Sequence, residues 1–99
     1  MADRAGPSPR GRRERALEFE PQFLDDLRYW ITTNQRLATR LADLLEAIRR
    51  DPFRGIGKPE PLRHDQPNTW SRRLTDEHRV AYRVEHERLV FMSARGHYE

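Results

Sequence analysis

The sequence predicts a small α+β domain in which a two-helix hairpin packs on an antiparallel β-sheet, in the chain order β-α-α-β-β-β. Two segments between residues 21 and 51 carry apolar residues at helical spacing, and three later segments alternate apolar with polar residues. A chain of 99 residues has room for one such domain. It contains no cysteine, which excludes a disulfide framework, a thiol nucleophile and a Cys-ligated zinc site.

Residues 1–15 are expected to lie outside this domain, which we place at residues 16–99. They are polar and include two glycines and two prolines. Five arginines against two acidic residues give this segment a net charge of +3, which equals the formal net charge of the whole chain. Such a composition buries too little apolar surface to offset its ordering entropy, so disorder is predicted. A solvated tail and an arm that contacts RNA are the two interpretations of this segment.

A short strand is predicted at residues 16–20, where Leu17 and Phe19 alternate with acidic residues. Pro21 then suits the first position of a helix, because the missing N–H has no partner there. Acidic residues near the helix start, Asp25 and Asp26, match the helix dipole. The apolar stripe of this helix consists of Phe23, Leu24, Leu27, Trp30 and Ile31.

Asn34 is the predicted N-cap of a second helix. Arg49 and Arg50 fall in its last turn, where cations suit the dipole, and Pro52 ends it. Helices joined this closely should form an antiparallel hairpin that packs on the sheet, and a groove for a partner helix is the alternative. The stripe of the second helix consists of Leu37, Leu41, Leu44, Leu45 and Ile48.

An irregular loop is predicted at residues 52–68, which are rich in glycine and proline. An ordered loop of this length is often functional. Strands are predicted at residues 70–75, 79–85 and 88–95, with turns at residues 76–77 and 86–87. The last strand is apolar on both faces, which is typical of a central strand.

The turn after the first of these strands decides which arginine shares a sheet face with Arg79 and Arg83. A two-residue turn at residues 76–77 would place Arg72 on that face. One extra residue or a bulge would place Arg73 there instead. The sequence leaves both arrangements open.

Ionisable side chains gather in residues 49–83, which hold nine basic and five acidic residues. A carboxylate, an imidazole and several arginines suit cleavage of RNA, because the 2′-hydroxyl is an internal nucleophile that needs only a base, an acid and cations. The histidines match no zinc-ligand spacing, and residues 55–58 are too short for a phosphate-binding loop. A solvated sheet face, an ordinary loop carboxylate and a frayed terminus remain open alternatives. The candidate residues are Lys58, Glu60, Arg63, His64, Arg72, Arg73, Arg79, Arg83, His97 and Tyr98.

Four motifs stand together in this chain, namely GKPEPL, WSRR, EHR and a closing HY, and EPQFLDDLRYW precedes them. In this combination residues 17–98 resemble the YoeB/Txe family of bacterial type II toxin–antitoxin toxins, within the RelE/ParE superfamily. The resemblance implies a small RelE-like fold. It also implies a ribosome-dependent mRNA interferase, an endoribonuclease that cuts mRNA in the ribosomal A site and leaves a 2′,3′-cyclic phosphate and a 5′-hydroxyl.

The resemblance further implies a role for each matching residue. Glu60 would be the general base, Arg79 would stabilise the phosphorane, and His97 would be the general acid. Tyr98 would orient the substrate or stack on it. No cofactor and no metal are expected. Phosphates would be held by Lys58, Arg63, Arg72 and Arg73.

The implied partners are the 70S ribosome, mRNA and a cognate YefM/Phd-like antitoxin whose acidic C-terminal segment covers the toxin. A homodimer or a toxin–antitoxin hetero-oligomer is also implied, a membrane is not, and the expected location is the bacterial cytoplasm. One alternative is a ParE-like gyrase poison, although such relatives generally lack the set of Glu60, Arg79 and His97. The other is a weakened toxin that acts as an antitoxin-bound co-repressor, which Glu99 keeps open because it follows the closing HY.

Overall fold

The structure is a computed structural model that describes residues 14–62 and 67–96. Two helices cover one face of a five-stranded sheet, so the predicted α+β class and helix hairpin are confirmed. Neither helix in the described part of the chain is long and apolar enough to cross a membrane. The elements are β1 (Ala16–Phe19), α1 (Pro21–Thr33), α2 (Gln35–Arg50), β2 (Glu60–Pro61), β3 (Thr69–Arg73), β4 (Arg79–Val84) and β5 (Arg88–Ser93).

The strand order is β1-β5-β4-β3-β2, and the sheet is mixed. Strands β2 to β5 are antiparallel neighbours, whereas β1 runs parallel to β5 at one edge. No hairpin joins β1 to β5, so packing sets their relative direction. Phe19 of β1 stacks on Phe91 of β5 with ring centroids 5.3 Å apart. The two-residue β2, which was predicted as loop, completes the opposite edge.

Both helix starts follow their predicted chemistry. Pro21 is the first residue of α1, and the Asn34 side chain accepts a hydrogen bond from the Leu37 N–H at 3.3 Å, which caps α2. The helices bury one apolar face against the sheet, which builds a single core. Its members include Phe23, Trp30, Leu41, Leu44 and Ile48 from the helices and Val80, Tyr82, Leu89 and Phe91 from the strands.

The buried face of α1 differs from the predicted stripe. Leu24 and Ile31 are about half exposed, at 49% and 50%, whereas Asp26 is only 3% exposed. Phe23, Asp26 and Trp30 follow the helical period, so they share one face. Asp26 is tolerated there because both of its carboxylate oxygens accept hydrogen bonds. Asp26, which the sequence places outside the apolar stripe of this helix, thus lies on its buried face.

The connection between β3 and β4 is longer than a two-residue turn. The carbonyl of His78 accepts hydrogen bonds from the N–H groups of both Leu74 and Thr75, so residues 74–78 form the connection. The strands therefore pair Arg73 directly with Arg79. Arg73 lies on the face of the sheet opposite the helices, and its neighbour along β3 lies on the helix face.

Candidate active site

The sheet face opposite the helices carries ionisable side chains on three neighbouring strands. Strand pairing sets Glu60 of β2 beside Ser71 of β3, and Arg73 of β3 beside Arg79 of β4. Arg83 follows on the same face of β4, because side chains alternate along a strand. One carboxylate and three guanidinium groups thus share one surface.

Arg79 is the least exposed of the three arginines of this surface. Its side chain is only 11% exposed, and its Nε donates to the hydroxyl of Ser71 at 3.0 Å. Its Nη2 donates to Glu60 Oε1 at 3.4 Å, while the Glu60 side chain remains 63% exposed. A fixed guanidinium therefore lies beside a carboxylate that solvent or a substrate can reach. The contribution of Ser71 was missed by sequence reasoning, although its position in the WSRR motif points to it.

Gly96, the last described residue, lies beside Arg79. The backbone N–H of Arg79 donates to the carbonyl of Gly96 at 2.9 Å. His97 and Tyr98 follow Gly96 in the sequence and lie outside the described residues, as do Arg63 and His64. The predictions for these four residues stay predictions.

Arg72 belongs to the core instead of this surface. It is 0% exposed, and its Nε donates to the Tyr82 hydroxyl at 3.1 Å. Its terminal nitrogens donate to the carbonyls of Asp51, Arg54 and Ile56 at 2.6, 2.9 and 3.1 Å. These bonds tie the loop after α2 to the sheet. The expectation that Arg72 binds phosphate is therefore corrected, because its guanidinium is buried and used in this loop.

Tyr82 completes the anchor that Arg72 forms for the loop after α2. Its hydroxyl donates to the carbonyl of Pro52 at 2.7 Å, and burial raises the pKa of this phenol above its ordinary value of 10.0. The Tyr82 ring lies within the core at 0% exposure. The anchor thus fixes where the loop leaves α2, well before the loop reaches Glu60.

The glycines of the GIGK segment fit closely over this anchor. A Cβ atom at Gly55 would lie 2.9 Å from Arg72 Nη1, and one at Gly57 would lie 3.1 Å from the carbonyl oxygen of Arg73. The Arg73 N–H donates to the Gly57 carbonyl at 2.6 Å. Lys58 follows with φ of 53° and an exposed side chain. The loop thus presents Lys58 two residues before Glu60.

The remaining arginines of the surface keep accessible guanidinium groups. The Arg73 side chain is 41% exposed and lies 3.6 Å from Asp76. The Arg83 side chain is 35% exposed and donates to Glu85 at 2.8 Å. Hydrogen bonds from Arg83 and Arg88 hold the pKa of Glu85 below its ordinary value. Both Arg73 and Arg83 can exchange these surface carboxylates for a phosphate, because exposed ion pairs are weak.

Solved structures define the class of protein that combines this fold with this surface. A YoeB/ParE toxin from Agrobacterium tumefaciens superposes with a TM-score of 0.78 at 40% identity, over 84% of this chain and 99% of that one. A YoeB dimer from Staphylococcus aureus superposes with a TM-score of 0.79 at 31% identity, over 86% of this chain and 99% of that one. The YoeB–YefM complex from the same organism superposes with a TM-score of 0.75 at 33% identity, over 85% of this chain and 98% of that one. The chain thus has the fold of the small α+β toxins.

Sequence comparisons identify the family within that class. Residues 19–98 match the family described as the YoeB-like toxin of bacterial type II toxin–antitoxin systems. The chain is 42% identical to the toxin YoeB of Mycobacterium bovis over 84 residues, which are 85% of this chain and 99% of that protein. It is 45% identical to the toxin YoeB of Escherichia coli K12 over 82 residues, 83% and 98% of the two chains. The chain therefore belongs to the YoeB-like family of type II toxins.

Proposed function

We propose that this toxin is a ribosome-dependent endoribonuclease that cuts mRNA in the ribosomal A site by acid–base attack of the 2′-hydroxyl. The observation that carries the proposal is the pairing of a nearly buried Arg79 with an accessible Glu60, next to the residue that precedes His97. Ribonuclease chemistry of this kind needs a base, a cation and an acid close together.

Each group has one task in the proposed reaction. The Glu60 carboxylate accepts the proton of the 2′-hydroxyl as the 2′-oxygen forms its bond to phosphorus. The Arg79 guanidinium stabilises the charge that develops on the non-bridging phosphate oxygens. The bond from phosphorus to the 5′-oxygen then breaks, and His97 gives that oxygen a proton. The products are a 2′,3′-cyclic phosphate and a 5′-hydroxyl, and Tyr98 orients the substrate.

Phosphates flanking the scissile bond are held, in this proposal, by Lys58, Arg63 and Arg73. The exposure of Lys58 and Arg73 supports this, since both cations are accessible on the loop and on β3. Contacts of this kind are sensitive to salt and carry little base information. The ribosome would supply the rest by holding the mRNA in the bent geometry for in-line attack.

The proposed protein partner is a YefM-like antitoxin, as in the YoeB–YefM complex of Staphylococcus aureus. An acidic antitoxin segment is attracted to the cationic surface formed by Arg73, Arg79 and Arg83. The YoeB dimer of the same organism supports a homodimer as a second assembly. The proposed location is the bacterial cytoplasm, where the ribosomes are.

The test is primer extension on an mRNA programmed into purified ribosomes, with the wild-type toxin and single variants. Wild type should produce cuts at the A-site codon. Glu60→Gln and His97→Ala should each slow cleavage by about 100- to 10,000-fold, the range of a lost acid or base. Arg79→Lys should also slow it, because one ammonium cannot keep both contacts of the guanidinium fork.

Two matched controls lie in the turn between β4 and β5, at the end of β4 away from Arg79. His86→Ala and Glu87→Ala remove an imidazole and a carboxylate from exposed positions, and both should cleave at the wild-type rate. Equal cleavage by Glu60→Gln and wild type would remove Glu60 from the mechanism. Intact mRNA together with inhibited DNA gyrase would favour a gyrase poison instead.

A further inference from the structure

The segment after β5, residues 94–96, is held by α1 through both backbone polar groups of Ala94. The N–H of Ala94 donates to Asp26 Oδ2 at 2.8 Å, and its carbonyl accepts from Trp30 Nε1 at 2.9 Å. Ala94 is 0% exposed, Asp26 3% and Trp30 5%, so these bonds are shielded from water. Gln22 Nε2 donates to the other oxygen of Asp26 at 2.8 Å, which fixes that carboxylate.

Both backbone polar groups of Gly96 are hydrogen-bonded as well, to His78 and Arg79. Its N–H donates to the ring nitrogen Nδ1 of His78 at 2.9 Å, and its carbonyl accepts from the backbone of Arg79. Nδ1 of His78 therefore carries no proton in this arrangement. The His78 ring packs edge-on against Trp30, with centroids 4.8 Å apart, so the two contacts of the segment support each other.

Arg95, which lies between Ala94 and Gly96, is held by its side chain. The guanidinium of Arg95 lies 3.6 Å from the centroid of the Tyr29 ring, a cation–π contact. Gly96 has φ of 96°, which L side chains rarely adopt, so the chain turns there. Each residue from Ala94 to Gly96 is thus restrained up to the last described position.

We propose that Asp26, Trp30 and His78 form a clamp whose task is to position the general acid, which rests on the proposed function of His97. The clamp residues are positioning residues, because the part of the acid-bearing end that they contact is the backbone of Ala94 and Gly96, which leads into His97. The backbone N–H of Arg79 also donates to Gly96, the residue before His97. The clamp therefore sets the position of the acid-bearing end relative to Arg79, the cation proposed to stabilise the phosphorane. Holding reacting groups in place can supply several orders of magnitude in rate.

Loss of the clamp should affect cleavage differently from loss of a network that only stabilises the fold. Protonation of the leaving 5′-oxygen is the only step assigned to His97. If sulfur replaces that oxygen, the phosphorus–sulfur bond breaks to give a thiolate, which leaves without a proton because a thiol is far more acidic than an alcohol. A defect confined to positioning His97 should therefore disappear with the sulfur substrate, whereas a damaged site should stay slow with both.

The experiment measures single-turnover cleavage on ribosomes saturated with toxin, using an mRNA with a normal or a 5′-bridging sulfur linkage at the A-site codon. His78→Ala removes the acceptor for Gly96, and Trp30→Phe removes the donor to Ala94 while it keeps an aromatic ring. Both should cut the oxygen substrate about 10- to 100-fold more slowly than wild type. Both should cut the sulfur substrate within about threefold of wild type.

His78→Asn is the conservative rescue, because its side-chain oxygen can accept the Gly96 N–H in place of Nδ1. It should cut the oxygen substrate within about threefold of wild type, and His86→Ala is the matched histidine control. A thermal melt of every variant verifies that it is folded at the assay temperature. Should His78→Ala be unfolded there, Trp30→Phe and His78→Asn carry the comparison.

The outcomes separate the clamp from the proposed function. Slow cleavage of both substrates by Trp30→Phe or His78→Ala would overturn the clamp, and so would wild-type rates on the oxygen substrate. Either result leaves the proposed function intact if His97→Ala is slow only on the oxygen substrate. Absence of cleavage by wild type, or full activity of His97→Ala, would overturn the proposed function and the clamp with it.

Discussion

Replacing Arg72 by methionine should destabilise the protein far more than the same change at the adjacent Arg73. Arg72 is fully buried and donates four hydrogen bonds, whereas the Arg73 side chain is 41% exposed and lies 3.6 Å from Asp76 in a surface ion pair. Methionine has a similar length and is uncharged, so each variant removes the charged donors while it retains much of the apolar stem.

The magnitude follows from the partners of each guanidinium. A hydrogen bond from a charged donor contributes about 1.5–3 kcal/mol. Three acceptors of Arg72 are carbonyls of exposed loop residues, Asp51, Arg54 and Ile56, so water can replace part of what is lost. Counting the lower value for two of the four bonds gives a loss of about 3 kcal/mol in the free energy of unfolding. The surface pair of Arg73 should contribute below about 0.5 kcal/mol.

Thermal denaturation followed by circular dichroism measures the difference. For a domain of this size, 1 kcal/mol lowers the melting temperature by about 4–8 °C, so Arg72→Met should melt about 12–24 °C below wild type. Arg73→Met should melt within about 4 °C of wild type. Equal shifts in the two variants would refute the assignment of Arg72 as the anchor of the loop after α2.

Three further changes probe the core, the loop after α2 and the charged connection between β4 and β5. Leu44→Ala empties a fully buried position and should lower the free energy of unfolding by about 2–5 kcal/mol in urea denaturation, and a loss below about 1 kcal/mol would contradict its place in the core. Gly57→Ala should cost about 1–3 kcal/mol in the same assay, because φ is 86° and the new Cβ would lie 3.0 Å from Leu44 Cδ2, and an unchanged midpoint would argue against this loop geometry. Glu85→Gln should lose a pH-dependent stabilisation. Hydrogen bonds from Arg83 and Arg88 place the pKa of Glu85 below its ordinary 4.5 in the folded state, so the stabilisation is present above pH 4.5 and disappears as the pH falls through the lower folded-state pKa. Urea denaturation at pH 7 and pH 3 should therefore show a gap between wild type and Glu85→Gln that closes in acid, and a constant gap would exclude the linkage.

Local chemistry made the helices predictable. Pro21 and Asn34 mark helix starts through backbone geometry and a side-chain acceptor, which act within three or four residues. The alternation in residues 79–85 likewise predicted β4, which the structure places at Arg79–Val84. The stripe of α1 was only partly right, because burial of Asp26 depends on an N–H of Ala94, 68 residues away.

The sequence by itself determined both helices, the four strands other than β2, their order along the chain and the presence of Glu60 and Arg79 among the candidate groups, because residue type and short-range periodicity carry that information. Only the tertiary structure decided which face of the sheet each arginine occupies. A connection of residues 74–78, in place of a two-residue turn, sends Arg73 to the Arg79 face and buries Arg72 against the loop after α2. The alternation of side chains along a strand turns that small difference in length into the opposite face for every residue of β3, and no pattern within the strand reveals it.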